Sequence, residues 1–380
     1  MLNNDQNASI SRNFGIDVMR GIAILLVVIH HLALPFRLPL APSYLGELLS
    51  RRITNSLSFN GYEAVFVFFV LSGFLIARRA IQQFGALEKI EWRVFYRQRA
   101  SRIVPLLLCL LTTLCVLHAL GVPGFVVHEH GQTLGRALFS ALGLHLNWYE
   151  GQTSWLPASW DVLWSLSIEE VFYLAFPVLC LTLPRPLLVL ALAALALSLP
   201  STRAALAGNE IWQEKAYLPG MSAIAFGVLT AMPPAKFRPS RAFALSLLAL
   251  GVFGLFGVFV FGGEVWRAIG NGSMLLLCVC TAQCVYACDA LNFAPVRGLR
   301  WLAGMGRLSY EIYLSHMFIV LPVTALFLKL FEGDLFWTFA AYPPTVLACV
   351  WLGKACERCI SKPAARWVLR GTSHRSEATT

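Results

Sequence analysis

Residues Phe14 to Leu34 read FGIDVMRGIAILLVVIHHLAL. At ~1.5 Å rise per residue this run is long enough to cross a bilayer core of ~30 Å, yet it holds Asp17, Arg20, His30 and His31. Such groups are costly in hydrocarbon. Eleven positions, about three turns, separate Arg20 from His31, so both side chains leave the helix on nearly one face, ~16 Å apart in depth. His30 projects roughly 80° away from that face at ~100° per residue. Asp17, three residues before Arg20, is placed to pair with the guanidinium. Two readings stand at this point: a polar track through a membrane helix, or an arginine snorkelling to one interface and a histidine at the other.

Composition decides the class. With 57% hydrophobic and 13% charged residues among 380, the chain is far from the roughly 25% charged residues of a soluble globule. The hydrophobic pattern predicts an all-α polytopic membrane helix bundle of about ten spans, at 14–34, 59–77, 103–122, 163–183, 186–200, 216–231, 242–261, 271–288, 309–330 and 337–353. The first run is too long for a signal-peptide core and lacks a small-residue cleavage site, so it is expected to stay in the protein. Residues 134–148 are short for a span and are taken as non-spanning. That choice puts both termini on one side, together with Arg78, Arg79, Lys89, Arg93, Arg97, Arg99 and Arg102 in one short loop. Lys354, Arg358, Lys362, Arg366, Arg370 and Arg375 in the last segment join them. The positive-inside rule then makes both termini cytoplasmic. The expected organisation is a cytoplasmic N-terminal tail over 1–13, a membrane domain over 14–353 and a basic cytoplasmic tail over 354–380.

The net charge of +10 is thus foremost a topology signal. No nucleic-acid-binding module surrounds the basic loop, and anionic lipid headgroups are its default partner. Arg99 and Arg102 stand one turn apart, and adjacent guanidinium forks suit phosphate oxygens; orientation of the helix is the other reading. On the external side, Trp148, Tyr149, Trp155, Trp160 and Trp164 cluster before the chain re-enters the bilayer. They fit an interfacial belt or a stacking platform for sugar rings. Glu169 and Glu170 follow in an otherwise apolar helix, where adjacent buried carboxylates commonly mean that one titrates or binds something. Glu169 shares a face with Tyr173, and the predicted topology gives Glu169 and His31 similar depths. Ser72-Gly73 reads as small-residue helix packing rather than as a nucleophile. Ser309 and His316, seven apart, share a face of another helix. Cys280, Cys284 and Cys288 have no histidine or carboxylate joining them, so no metal site is expected.

Taken in order, FGIDVMRGIAILLVVIHH, FFVLSGFLIARR, FYRQRASRIVPLL, WSLSIEEVFYLAFP and LSYEIYLSH resemble the acyltransferase-3 family of integral membrane O-acyltransferases. The resemblance covers essentially the whole hydrophobic chain. The family's pattern of a basic residue, ten others and a histidine falls on Arg20 and His31, which selects His31 over His30. Its Arg-x-x-Arg falls on Arg99 and Arg102, and its acidic position before Phe-Tyr on Glu169. The resemblance implies a multi-pass protein of the bacterial inner membrane. It would move an acyl group, most often acetyl, from cytoplasmic acyl-CoA to a hydroxyl of a cell-envelope or exported saccharide or glycolipid. Acyl-CoA would be a co-substrate, with no permanently bound cofactor.

The expected roles follow from that layout. His31 deprotonates the acceptor hydroxyl or carries the acyl group, with Glu169 orienting it and Arg20 polarising the thioester or holding Asp17. Arg99 and Arg102, with Arg97 as a third, hold the CoA phosphates. Trp160, Trp164, Tyr173 and His316 are assigned to the acceptor. Only about 27 residues follow the last predicted helix, without the extracytoplasmic SGNH-like domain of longer members, which leaves open whether a partner protein completes the transfer; homo-oligomerisation is equally open. The competing class is a transporter or flippase of a saccharide or lipid-linked intermediate, in which the same charges would line a permeation path.

Overall fold

The computed structural model describes residues 12–36, 44–129, 131–233, 239–332 and 334–370, and these are helical with no strand. The long helices are α1 (Phe14–Ala33), α2 (Gly61–Phe84), α3 (Trp92–Ala119), α4 (Trp164–Thr182), α5 (Arg185–Leu197), α6 (Tyr217–Ala231), α7 (Arg241–Val260) and α8 (Gly272–Leu291). They are followed by α9 (Arg300–Arg307), α10 (Ser309–Ser315), α11 (Met317–Leu330), α12 (Tyr342–Cys356) and α13 (Lys362–Arg370). Each of the ten predicted spans falls on helix. Among the described residues, six helices are long and apolar enough to cross a membrane, and eight if each of two bent pairs counts as one span. Helices α6 and α12 have 15 residues each, short of a bilayer core on their own, and what length and composition establish is a bundle of six to eight candidate spans.

Both bends have a local cause. Helix α5 meets the short helix Leu199–Ala205 at 48°, where Pro200 lacks the N–H that would continue the ladder. Helices α10 and α11 also meet at 48°, and the residue between them is His316. Its Nδ1 lies 2.7 Å from the Tyr313 carbonyl oxygen and 3.2 Å from that of Ile312, so the side chain occupies the Tyr313 carbonyl that the next N–H of the ladder would use, while the Ile312 carbonyl still accepts the His316 backbone N–H at 2.8 Å.

Segment 134–148 forms two short helices, Leu134–Leu142 and Leu146–Gln152, neither of spanning length, broken where Leu144 takes a positive φ of 59°. The basic loop is less of a loop than the sequence suggests. Arg78 and Arg79 belong to the last turns of α2, while Arg93, Arg97, Arg99 and Arg102 ride on the first turns of α3. The C-terminal segment is also structured: α12 runs through a π-turn at Glu357–Ser361 into α13, which packs against α3. Residues 1–11 and 371–380, most of the first expected tail and the end of the second, lie outside the described residues.

Two backbone-close crossings set the bundle. Gly73 of α2 lies on the Ile224 carbonyl of α6, and Gly227 of α6 on the Val70 carbonyl of α2. Gly21 of α1 lies on the Leu302 carbonyl of α9, and Gly306 of α9 on the Asp17 carbonyl. Without side chains, helices approach closely enough for dispersion between backbones to hold them. The cysteines of α8 serve the same end: the sulfurs of Cys284 and Cys288 lie against Gly251 and Gly15. Gly306→Val would drive a side chain into the α1 backbone, where the close-packed seam has no room to yield. We expect the loss of monodisperse protein on size-exclusion chromatography in mild detergent. Gly298→Val, at a position with open space around it, is expected to elute as the parent does.

Candidate active site

A cavity of about 980 Å³ runs between α1, α2, α3, α4 and α10. Along α2 its walls extend from Val65 to Phe84, roughly 28 Å at 1.5 Å per residue. Arg12, Arg78, Arg79, Gln82, Gln83 and Lys362 line the end formed by the basic helix termini. Further in come Arg20, Ser72, Arg99, Arg102, Glu169, Glu170 and Tyr173, and at the far end Val65, Ser165 and Tyr313.

Half of the eight cations on these walls are paired with a carboxylate. Asp17 stands between Arg20 at 3.9 Å and Arg307 at 3.7 Å. Arg78 pairs with Asp289 at 3.1 Å and Lys362 with Glu357 at 3.2 Å. Among the described residues, no carboxylate lies within 4 Å of the guanidiniums of Arg79, Arg99 or Arg102. These three, with Arg12 at the cavity's outer end, leave the cavity electropositive, and their forked donors match phosphate oxygens. Arg97, expected beside them, does not line the cavity. Arg79 was read in the sequence only as a topology signal, since nothing in a linear basic cluster says which members turn inward.

The acid of α4 is held by a hydrogen-bonded chain. Ser72 Oγ meets the Tyr173 hydroxyl, which donates to Glu169 Oε2 at 3.5 Å, and the Arg99 guanidinium lies 4.1 Å over the Tyr173 ring. Arg20 donates to Ser309 Oγ at 2.8 Å, which turns its guanidinium into the cavity. The structure therefore gathers Arg20, Arg99, Arg102, Glu169 and Tyr173 on one wall system.

His31 has other neighbours. Its ring centroid is 5.0 Å from that of His316 and 5.4 Å from that of His30. The carboxylate expected to orient it, Glu169, is bonded instead to Tyr173. Helical periodicity placed both groups at similar depth but carried no information on how α1 and α4 are rotated about their axes. His30 faces Ser58, with Nδ1 3.0 Å from its carbonyl oxygen, and packs on Gly61, where a Cβ would overlap the ring. His316 is fully buried. Neither His31 nor His316 lines the cavity, whose far end is closed by a 2.7 Å hydrogen bond between Ser165 and Tyr313. The Tyr313 ring is 6.0 Å from that of His316, so one side chain separates the cavity from the imidazole pair.

The indoles assigned to an acceptor platform are not open faces. Trp160 is 0% exposed and its N–H donates to the Phe125 carbonyl at 3.3 Å. Trp164 is buried against Tyr62 and Phe69. Aromatic residues near an interface are as useful to a core as to a ligand, and their sequence position does not distinguish the two. The external stretch is instead tied down by an ion triad absent from the sequence reading. Lys215 Nζ meets Glu150 Oε2 at 3.0 Å and the carboxylate of Asp161, and lies 4.0 Å from the Trp155 ring centroid. Burial, then the charge of Asp161, pushes the Glu150 carboxyl well above the ordinary carboxylate range. Burial opposes the charged form of Lys215, but the two carboxylates outweigh it and hold its ammonium above the ordinary value.

Fold and site together define a polytopic helical membrane protein with a cationic cavity that ends one side chain short of paired histidines. Residues 13–354 match the family described as an acyltransferase domain, and the chain belongs to this acyltransferase-3 family of enzymes. Membership sets aside the transporter reading. Among curated relatives, the chain is 24% identical over 339 residues to O-acetyltransferase OatA of Staphylococcus aureus (strain NCTC 8325 / PS 47), across 83% of this chain and 52% of that protein. It is 27% identical over 173 residues to the putative O-acetyltransferase SACOL0978 of Staphylococcus aureus (strain COL), across 44% of this chain and 25% of that protein. The chain thus spans about half the length of OatA. No solved structure matches it.

Lys215→Met removes the cation from between the buried Glu150 carboxyl and the half-buried Asp161 carboxyl. Breaking such a set typically costs about 3–5 kcal/mol. We expect a clear fall in the thermal unfolding midpoint of the detergent-solubilised protein. Glu150→Gln keeps the shape of the side chain, an acceptor for the Leu156 N–H and the Lys215–Asp161 pair, and is expected to move that midpoint far less.

Proposed function

We propose that the chain is an O-acyltransferase of the bacterial inner membrane, with ten spans and cytoplasmic termini. It moves an acetyl group from cytoplasmic acetyl-CoA to a hydroxyl of a cell-envelope or exported saccharide or glycolipid. One observation carries the reading: Arg79, Arg99 and Arg102, free of carboxylate partners, face a cavity that leads toward a buried histidine pair. A CoA thioester has the matching shape, with phosphates at one end and a thin arm to its reactive carbon. The curated relatives' names support the acetyl group and the hydroxyl acceptor.

In this reading Arg79, Arg99 and Arg102 hold phosphates at the cytoplasmic end, and the pantetheine arm passes Arg20 toward Ser165 and Tyr313. Opening of the Ser165–Tyr313 contact joins the thioester to His31. The His31 imidazole takes the acceptor's O–H proton as the oxygen attacks the carbonyl carbon. A C–O bond forms, the C–S bond breaks, and the thiolate leaving group takes the proton from the imidazolium as free CoA. Arg20, oriented by Ser309, stabilises negative charge that develops on the carbonyl oxygen. Glu169 fixes Tyr173 and Arg99 in place, a wall function rather than the orienting role first assigned to it. The acceptor reaches His31 from the opposite side, past the segment that the Lys215 triad holds.

Purified protein given labelled acetyl-CoA and an envelope extract should move label onto saccharide. His31→Ala is expected to abolish that transfer at unchanged yield and elution volume; retained transfer would remove His31 from the chemistry. Arg102→Ala deletes a charge-assisted contact of about 1.5–3 kcal/mol, so KM for acetyl-CoA should rise roughly 10- to 100-fold with little change in the acceptor's KM. Arg79→Ala is expected to act in the same direction, and an unchanged donor KM in both would leave these arginines a topological role alone.

A further inference from the structure

His316 carries an unexplained atom. Its ring is 0% exposed, and its Nε2 is buried without a hydrogen-bond partner. The other nitrogen settles the tautomer. Nδ1 lies 2.7 Å from the Tyr313 carbonyl oxygen and 3.2 Å from the Ile312 carbonyl oxygen, and since carbonyls only accept, Nδ1 bears the proton. Nε2 of the neutral ring is therefore a lone pair looking for a donor. Leaving such a group unsatisfied costs about 1–3 kcal/mol, which is why buried orphans in native proteins call for an explanation.

The ring that faces it is His31. The two centroids are 5.0 Å apart with the planes inclined at 48°, a separation at which rotation of the His31 ring brings one of its nitrogens to hydrogen-bond range. The remaining neighbours do not compete for that nitrogen. His30 is engaged with the Ser58 carbonyl, Tyr313 with Ser165, and Glu169 with Tyr173. We propose that His316 is the positioning residue of His31: its Nε2 accepts the N–H of the His31 imidazole and so leaves the other His31 nitrogen as the lone pair that meets the acceptor hydroxyl.

The arrangement does for His31 what a carboxylate does in a Ser-His-Asp triad, with one difference in chemistry. A neutral acceptor fixes the tautomer without placing an anion in the bundle core, where an unpaired carboxylate is expensive. When His31 takes the hydroxyl proton, its N–H becomes part of an imidazolium, and the bond to Nε2 becomes charge-assisted, roughly twice as strong as the neutral one. His316 thus stabilises the protonated state only while it exists. The inference rests on the reading of His31 as the base, but its own test does not need turnover.

In protein labelled with 15N histidine, the proposal requires a nitrogen–nitrogen coupling across the hydrogen bond between the rings of His31 and His316, and a single neutral tautomer for His31. Absence of that coupling with His316 in the Nδ1–H form would overturn it, whether or not the enzyme is active. Two substitutions separate positioning from a structural role in the α10–α11 bend. Asparagine reproduces a donor at the Nδ1 position, and glutamine an acceptor at the Nε2 position. Positioning predicts that His316→Gln keeps kcat within about 10-fold of the parent and His316→Asn loses about 100-fold or more, both with the KM for acetyl-CoA unchanged. A structural role predicts the reverse order, and that result would overturn the proposal. If instead His31→Ala retained transfer while the coupling was present, the assignment of the base would fall and the hydrogen bond would stand.

Discussion

The contact on which the site depends is the crossing of α1 and α9. Gly21 and Gly306 have no side chains, so the two backbones touch, and that contact fixes the rotation of α1 about its own axis. Three of the four ionisable groups on α1 then acquire a partner on α9 or the chain that follows it. Asp17 meets Arg307, Arg20 meets Ser309, and His31 meets His316. A rotation of α1 by one residue, ~100°, would send all three toward lipid or toward the wrong neighbour. A glycine seam is thus a condition for chemistry three helical turns away, and small residues matter here for what they aim rather than for what they contact.

Charge placement follows from the same seam. A membrane bundle carries cations toward its interior at less cost where they are paired, and here Asp17, Asp289 and Glu357 each take up at least one. Of the unpaired remainder, Arg12 and Arg79 lie near helix ends, where water and headgroups reduce the cost of an open guanidinium, whereas Arg99 and Arg102 stand two to three turns inside α3 and face the cavity. The electropositive surface therefore begins where it is cheapest to maintain and reaches inward along α3.

What the sequence revealed and what it withheld divide along a physical line. Periodicity within one helix is reliable: Arg20 and His31 do share the α1 face that meets α10 and α11, and Ser309 and His316 do share the face that meets α1. Composition was equally informative, since 57% hydrophobic residues leave little besides a membrane bundle. Relations between helices were not legible. Whether Glu169 or His316 would stand beside His31 depends on packing angles that no spacing encodes, and a buried Trp160 reads the same in one dimension as an open one. The Lys215 triad joins residues up to 65 positions apart, so no local pattern announces it. Helix boundaries misled in a further way: α3 begins at Trp92, and arginines counted as loop residues are in fact aimed by helical geometry.

The closed far end of the cavity has a consequence for how such an enzyme can work. A thioester open both to bulk water on one side and to a base on the other would be hydrolysed, because water is a smaller acceptor than any sugar hydroxyl. The Ser165–Tyr313 hydrogen bond puts a wall between the cavity and the imidazoles, and a neutral hydrogen bond of this type contributes only about 0.5–1.5 kcal/mol net. A wall that weak is easily displaced by a substrate that gains contacts on entering, and easily restored when the product leaves. In the proposed reading, protection of the acyl group and access to it would be reconciled by making the barrier a side-chain contact, not a helix, which would leave the backbone seam aiming Arg20 and His31 in place.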